Sequence, residues 1–397
     1  MTEETVIVSD EVEIFSSFEK MKIPENVLRG IYGHGFTEPS FPQSKGIVPI
    51  IEGKDILMQA QSGTGKTGTF VIGSMSRIDP SLKEVQVLCL APTRELADQI
   101  QTVAKEIGES STVNTKQNIC TYAALGKNPI KEDIRALGNK SVHFLVGTPG
   151  RIYDLLNRKI LSTKFIKVIV IDEADQMLED RFREQLQHIF DFGFPSETTC
   201  AFFSATMAPD VVNFALSILK NPVKILLPPE KVTLEGITQL KIEVEREDWK
   251  FEILLDLYKN LNISQALIYC NMRRGAEELS EKMAAAGYPV SCIHGDMDAK
   301  ERMNRMKMFR KGEKRVLIST DLLARGIDVQ QVSLVINYEL PLEKESYIHR
   351  IGRSGRFGRK GVAINILYGD DISKCKEIEE HYKTTISTCP MDLSSIL

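Results

Sequence analysis

The stretch Ala60–Thr67, AQSGTGKT, limits what this chain can fold into more than any other, because it follows an apolar run, Ile56–Met58, and leads into a helix-compatible segment, Gly68–Ile78. A glycine-rich turn between strand and helix points backbone N–H groups at phosphate oxygens, places them at the positive end of the helix and adds a mobile charge from lysine. The usual spacing is G-x-x-x-x-G-K-[ST]. Ala60 stands at the first glycine here, so the reading rests on Gly63, Gly65, Lys66 and Thr67, the last offering a hydroxyl to Mg²⁺. A nucleoside triphosphate is the implied ligand.

With 397 residues the chain exceeds one ordinary core, and at ~150 residues per domain two domains fit best. Hydrophobic content of 42% and charged content of 26%, without a long apolar segment, predict a soluble globular protein with no membrane anchor. The first fifteen residues are acidic and lack the basic flank and apolar centre of a secretory signal, so an intracellular protein is expected. Seven cysteines without a C-x-x-C pair, Cys89 and Cys270 among them inside apolar runs, predict buried reduced thiols rather than disulfides or zinc ligands. The net charge of −4 argues against a protein that coats nucleic acid indiscriminately. That charge is uneven, since residues 301–361 hold fourteen Lys/Arg against seven Asp/Glu.

Upstream of the loop, Pro24–Tyr32 reads as a short helix ended by Gly33–Gly35, followed by the nonapeptide Gly35–Gln43. A glutamine amide can pair with the N6 and N7 edge of adenine, and Phe36 can close over the base. Downstream, short apolar runs recur at Val85–Leu90, Asn118–Tyr122, Val142–Val146, Val168–Ile171 and Cys200–Phe203, alternating with helix-length segments. This predicts an α/β fold with a mostly parallel sheet covered by helices on both faces, whose ligands gather at the carboxyl ends of the strands. The polar residues that follow the runs belong at that edge: PTREL from Pro92, TPGR from Thr148, DEAD from Asp172 and SAT from Ser204. Asp172 stands where a carboxylate can hold Mg²⁺ through water opposite Thr67, and Glu173 where one can orient or deprotonate the attacking water.

Pro228 and Pro229 interrupt the pattern, and a second α/β rhythm follows at Leu240–Val244, Ala266–Cys270, Val290–Ile293, Val316–Ser319, Leu334–Asn337 and Val362–Leu367. It has no phosphate loop, so its polar strand ends are expected to complete a site with the first half. In His349–Arg356, HRIGRSGR, three arginines recur at a spacing of three, and an arginine fork suits the charge of a phosphoryl-transfer transition state. The expected organisation is an acidic leader over 1–17, an ATP-binding domain over 18–227, a linker over 228–234 and a second domain over 235–397.

Together these motifs resemble the DEAD-box RNA helicases over nearly the whole chain from Phe18 onward. Within that family EVEREDWKFEILLDLY at 243–258, HGDM at 294–297, the segment 317–341 and YIHRIGRSGRFGRKGVAIN at 347–365 resemble the translation initiation factor 4A group and its paralogues. The resemblance implies two tandem RecA-like domains and an RNA-dependent ATPase that locally unwinds short duplexes without processive travel, in translation initiation in the cytoplasm. The paralogues imply an alternative: an ATP-gated RNA clamp of the exon-junction type or a pre-rRNA processing helicase, either of them nuclear. It implies ATP and Mg²⁺, with Phe36 and Gln43 on adenine, Ser62, Gly63, Thr64, Gly65, Lys66 and Thr67 on phosphates and metal, and Asp172 and Glu173 on metal and water. Arg353 and Arg356 would reach the γ-phosphate and Asp328 the ribose, while Asp175, Ser204, Thr206 and His349 would couple nucleotide to RNA. RNA would lie on Pro92, Thr93, Arg94, Thr148, Pro149, Gly150 and Arg151 and near Asn271 and Thr320, by backbone contacts of little sequence specificity. A monomer is implied, with a scaffold protein bridging both domains. Three positions depart from the pattern: Lys127 where a second glycine is usual, Met272 where threonine is usual, and Ala299 where glutamine is common ahead of Arg302.

Overall fold

The computed structural model describes residues 10–60, 63–110, 118–139, 142–178, 180–226, 236–260, 265–321, 332–354 and 361–390. The chain divides into two compact units, Met1–Leu227 and Pro228–Leu397. The expected linker over 228–234, and Ser62, Asp328 and Arg356 among the expected site residues, lie outside the described residues.

In the first unit the strands are β1 (Ile56–Gln59), β2 (Val87–Leu90), β3 (Thr121–Ala124), β4 (Phe144–Gly147), β5 (Val168–Ile171), β6 (Thr199–Ser204) and β7 (Val223–Ile225), ordered β3-β4-β2-β5-β6-β1-β7. Every pairing is parallel. The sequence VIVI of β5 shows why the sheet is covered twice: Val168 and Val170 enter one apolar cluster, Ile169 and Ile171 the other, as a period of two demands. β-branched side chains on both faces favour the pleated backbone and bury without polar atoms.

The second unit contains β8 (Ile237–Glu243), β9 (Ala266–Tyr269), β10 (Val290–Ile293), β11 (Val316–Ser319), β12 (Leu334–Asn337), β13 (Gly361–Leu367) and β14 (Ser387–Thr388). Their order, β10-β11-β9-β12-β13-β8-β14, repeats the first sheet position by position. Ala266 and Ile268 of β9 face one core, Leu267 and Tyr269 the other.

The edge strands β7 and β14 are too short to stand out by periodicity, and each is held by parallel pairing to its neighbour, β1 or β8. β3 begins at Thr121 rather than Asn118, and the helix of the phosphate loop begins at Lys66. The C-terminal segment forms the helix Asp371–Tyr382 and then β14. Among the described residues no helix is long and apolar enough to cross a membrane. All seven cysteines are free thiols, five of them buried.

Candidate functional site: the carboxyl edge of the first sheet

Gly63 and Gly65 have φ of 81° and 104°, the left-handed region that side chains rarely adopt, so the loop after β1 can turn only with glycine at these positions. It opens the helix Lys66–Met75. The parallel register puts the ends of β1, β5 and β6 at one edge, and Lys66 meets there the acidic residues that follow β5. Lys66 Nζ lies 3.1 Å from Glu173 Oε1 and 4.0 Å from Asp172 Oδ1, with all three residues buried. Burial pushes the Asp172 carboxyl up to about 7, against the pull of Lys66, and the neighbouring Glu173 adds to the rise. The carboxyl groups of Asp172 and Glu173, brought together beside the loop, are hard oxygen donors of the kind that fit Mg²⁺. Glu173 itself has φ 50° and ψ 56°, a strained conformation for a residue with a side chain, held at the start of the short helix Ala174–Met177.

Residues 40–43 form the upstream wall. Gln43 is buried in the first turn of the helix Phe41–Ile51, and its Oε1 accepts the Ser40 N–H at 2.9 Å. A side chain at Gly65 would bring a Cβ within 3.0 Å of Gln43 Nε2, and one at Gly68 would bring a Cβ within 3.3 Å of the Phe36 ring. The expected adenine residues therefore lie against the first turn of the phosphate helix, and Gly68, not singled out by the motif, is what admits them. The Ser40 contact engages one lone pair of the Gln43 amide, leaving Nε2 and a second lone pair for a base edge.

On the other side Thr206 Oγ1 donates to Asp175 Oδ2 at 2.6 Å, and the Asp175 N–H reaches Ser204 Oγ at 3.4 Å. The segment after β6 is thus tied to the acidic segment after β5. Further along the edge, Arg94 Nη2 donates to Asn128 Oδ1 at 2.8 Å and Arg151 Nη2 to the Asn128 carbonyl at 2.6 Å. Arg151 also pairs with Asp133, a fully buried carboxylate that accepts from the Tyr122 hydroxyl at 2.7 Å. Burial, helped by Asp133, pushes the Tyr122 hydroxyl well above its ordinary value and keeps it a donor. Sequence reasoning did not find Asn128 or Asp133, because a polar residue in a loop and an acid early in a helix read as surface. Pro92 and Pro149 are buried, whereas Gly150 is exposed.

In the second unit Arg350 is fully buried and spends every donor on strand ends. It meets Asp321 Oδ1 at 2.5 Å and Oδ2 at 2.9 Å, Asn271 Oδ1 at 2.7 Å, the Glu339 carbonyl at 2.7 Å and Asn337 Oδ1 at 3.4 Å. Asn271 is engaged on all sides, since its N–H donates to Glu339 and its Nδ2 to the Leu340 carbonyl. Arg353 and His349 are buried, and Arg353 Nε donates to the His349 carbonyl at 3.1 Å. Thr320 is half-buried beside Ser319, whose hydroxyl donates to the Ile293 or the Thr320 carbonyl, both 2.9 Å away.

A phosphate loop after β1, an acidic pair after β5 and a second sheet of identical order without that loop define a tandem RecA-like ATPase. The DEAD/DEAH box helicase family matches residues 41–214, and the helicase conserved C-terminal domain matches residues 249–358. The chain belongs to the DEAD/DEAH box helicases. It is 49% identical over 397 residues to eukaryotic initiation factor 4A of Drosophila melanogaster, covering 100% of this chain and 96% of that one. It is also 49% identical to the ATP-dependent RNA helicase eIF4A of Aspergillus oryzae, over 97% of this chain and 90% of that one. Among solved structures it resembles S. cerevisiae Dbp5 bound to RNA and ADP BeF3, with a TM-score of 0.87, 34% identity and coverage of 96% and 97%. Mss116p bound to ssRNA and AMP-PNP aligns with a TM-score of 0.86 at 25% identity, covering 97% of this chain and 82% of that one.

Proposed function

We propose that this helicase is an RNA-dependent ATPase that binds single-stranded RNA by its backbone and locally separates short duplexes, acting in the cytoplasm in translation initiation on mRNA. The observation that carries the catalytic reading is the buried trio Lys66, Asp172 and Glu173, linked through Asp175 to Thr206. Lys66 and the N–H groups of the loop would take the β- and γ-phosphates, and Asp172 and Thr67 would hold Mg²⁺, which when bound neutralises phosphate charge. Glu173 would take the proton of the attacking water, as its placement beside Asp172 allows. Phe36 and Gln43 would select adenine, and Arg353 and Arg356 would stabilise the transferred phosphoryl group. Ser62, Thr64, Asp328, Ser204 and His349 keep the nucleotide and coupling roles that the family likeness gives them.

If ATP and RNA favour the same state of the protein, each increases the affinity for the other by the same factor, and hydrolysis releases RNA by removing one of the two. The proposed protein partner is an initiation scaffold, and the relatives named as initiation factor 4A support that choice. The test is the ATPase rate with single-stranded RNA, with DNA of the same sequence and without either, for the parent and for Glu173→Gln. Stimulation by RNA alone, falling at least ~10²-fold in the variant, is the expected result. A rate indifferent to RNA would reduce the function to a bare ATPase.

A further inference from the structure

The helix Glu25–His34 lies so close to the helix Arg94–Ser110 that a Cβ at Gly30 would stand 2.1 Å from the Ile107 carbonyl oxygen, and only glycine admits the contact. It ends in a left-handed turn at Gly35, with φ 99°. The Gly35 N–H donates to the Tyr32 carbonyl at 3.0 Å and the Phe36 N–H to the Ile31 carbonyl at 3.2 Å, the paired bonds of a Schellman motif. The turn sets His34 and Phe36 side by side. Their ring centroids are 4.6 Å apart with the planes at 66°, an edge-to-face contact, while Phe36 Cε2 and Cζ would meet a Cβ at Gly68 at 3.3 Å. The imidazole is held in its turn: His34 Nδ1 lies 2.8 Å from Oε2 of Glu106, one residue before Ile107. A carboxylate only accepts, so Nδ1 carries the proton and donates. The His34 side chain is 18% exposed and that of Glu106 54%.

A ring that stacks on a base binds best when it already has its bound tilt, since otherwise part of the binding energy goes into ordering it. Phe36 is only half-buried, with the backbone of the phosphate helix on one side. The edge-to-face contact with His34 supplies a second constraint, and the Glu106 carboxylate fixes the imidazole that makes it. A histidine at the last residue of a helix also suits the helix dipole, but that role asks for no partner on another helix and no aromatic neighbour. We infer that His34 is a positioning residue for the nucleotide: it holds Phe36 at the tilt on which adenine stacks, and Glu106 holds His34. This role depends on Phe36 being the adenine cover, as proposed above.

The experiment is equilibrium binding of ADP carrying a fluorophore on its ribose to the full chain with Mg²⁺, beside KM for ATP and kcat measured with single-stranded RNA. The variants are His34→Ala, Glu106→Ala, Phe36→Ala and the double variant of His34→Ala with Phe36→Ala. Phe36→Ala should weaken ADP binding about tenfold, the scale of a lost base-stacking contact. His34→Ala should weaken it about fivefold, and Glu106→Ala about twofold, since a half-exposed pair contributes little. Adding His34→Ala to Phe36→Ala should change nothing further, because His34 acts through that ring. KM for ATP should rise in His34→Ala by the factor that ADP affinity falls, with kcat following the parent. Parent affinity in His34→Ala, or a loss that adds in full to that of Phe36→Ala, overturns the assignment. A fall in kcat with KM unchanged overturns it as well, because that marks lost folded enzyme. If His34→Ala does not fold, Glu106→Ala decides from its exposed position, and parent affinity there overturns the assignment. Parent affinity in Phe36→Ala overturns the adenine reading itself, and the role of His34 with it.

Discussion

In the first unit β1 runs into Gly63–Thr67, whereas in the second unit the strand at the same place in the sheet, β8, runs into an acidic segment from Glu243 to Asp248. The difference continues one strand position after another. β5 is followed by Asp172 and Glu173, two buried carboxylates within reach of Lys66, while β12 ends in Asn337 and is followed by Glu339, both within the hydrogen-bonded surroundings of Arg350. A guanidinium has five N–H donors, and those of Arg350 join the segments after β9, β11 and β12 into a hydrogen-bonded knot. The first unit offers carboxylate oxygens and glycine backbone at the equivalent edge, which a metal-bound nucleotide complements. One topology thus serves either for binding or for self-closure, and the side chains placed after the strands decide which.

Replacement of the knot tests this most severely. Arg350→Met should destabilise the second unit by about 3 kcal/mol, because Asp321, Asn271 and the Glu339 carbonyl lose their shared donor, and denaturant unfolding would measure it. A loss under ~1 kcal/mol would mean that the knot does not hold the edge together. The matched change in the first unit should have the opposite sign. Burial raises Asp172 from 3.8 to about 7, so between these values the folded state keeps a proton that the unfolded chain has released, and stability falls as pH rises through that window. Asp172→Asn should therefore unfold later than the parent above pH 7 without nucleotide or Mg²⁺, by about 1 kcal/mol, while losing hydrolysis. A variant less stable than the parent would place Asp172 among the residues that hold the fold.

Met272 sharpens the contrast at smaller scale. It caps the helix Arg273–Ala285 with φ −117°, makes no capping hydrogen bond and is 72% exposed. Met272→Thr should add about 0.5–1 kcal/mol by supplying a capping oxygen, and unchanged RNA affinity would remove this position from the RNA path. The smallest effect concerns His143, which is buried, accepts the Cys120 N–H at Nδ1 (3.0 Å) and is held below its ordinary 6.5 by burial. Its folded form resists protonation, so its contribution is complete above 6.5 and is lost as pH falls through the depressed folded value. His143→Gln should remove that part of the acid sensitivity, so that the variant's melting temperature falls less than the parent's between pH 7 and pH 5.

The phosphate loop, the acidic pair and the central strands were legible because each is local: glycines dictate the turn, and a run such as VIVI can bury both faces only inside a covered sheet. β7 and β14 were not, since a strand of two or three residues draws its existence from the neighbour it pairs with. The arginines mark the same boundary. In HRIGRSGR nothing separates Arg350 from Arg353, yet Arg350 finds Asn271 at a separation of 79 residues and Asp321 at 29, and becomes part of the core. Arg94 and Arg151, which the resemblance places on RNA, also meet Asn128 and Asp133 within the fold, partners that no local pattern announces. The sequence by itself determined the family, the sheet and the phosphate-binding turn, because these follow from backbone geometry and periodicity. Which charges face a ligand and which brace the fold was decided only by tertiary structure, because a guanidinium is indifferent to whether its acceptor is a phosphate or the chain's own carboxylate, and only the folded distance selects between them.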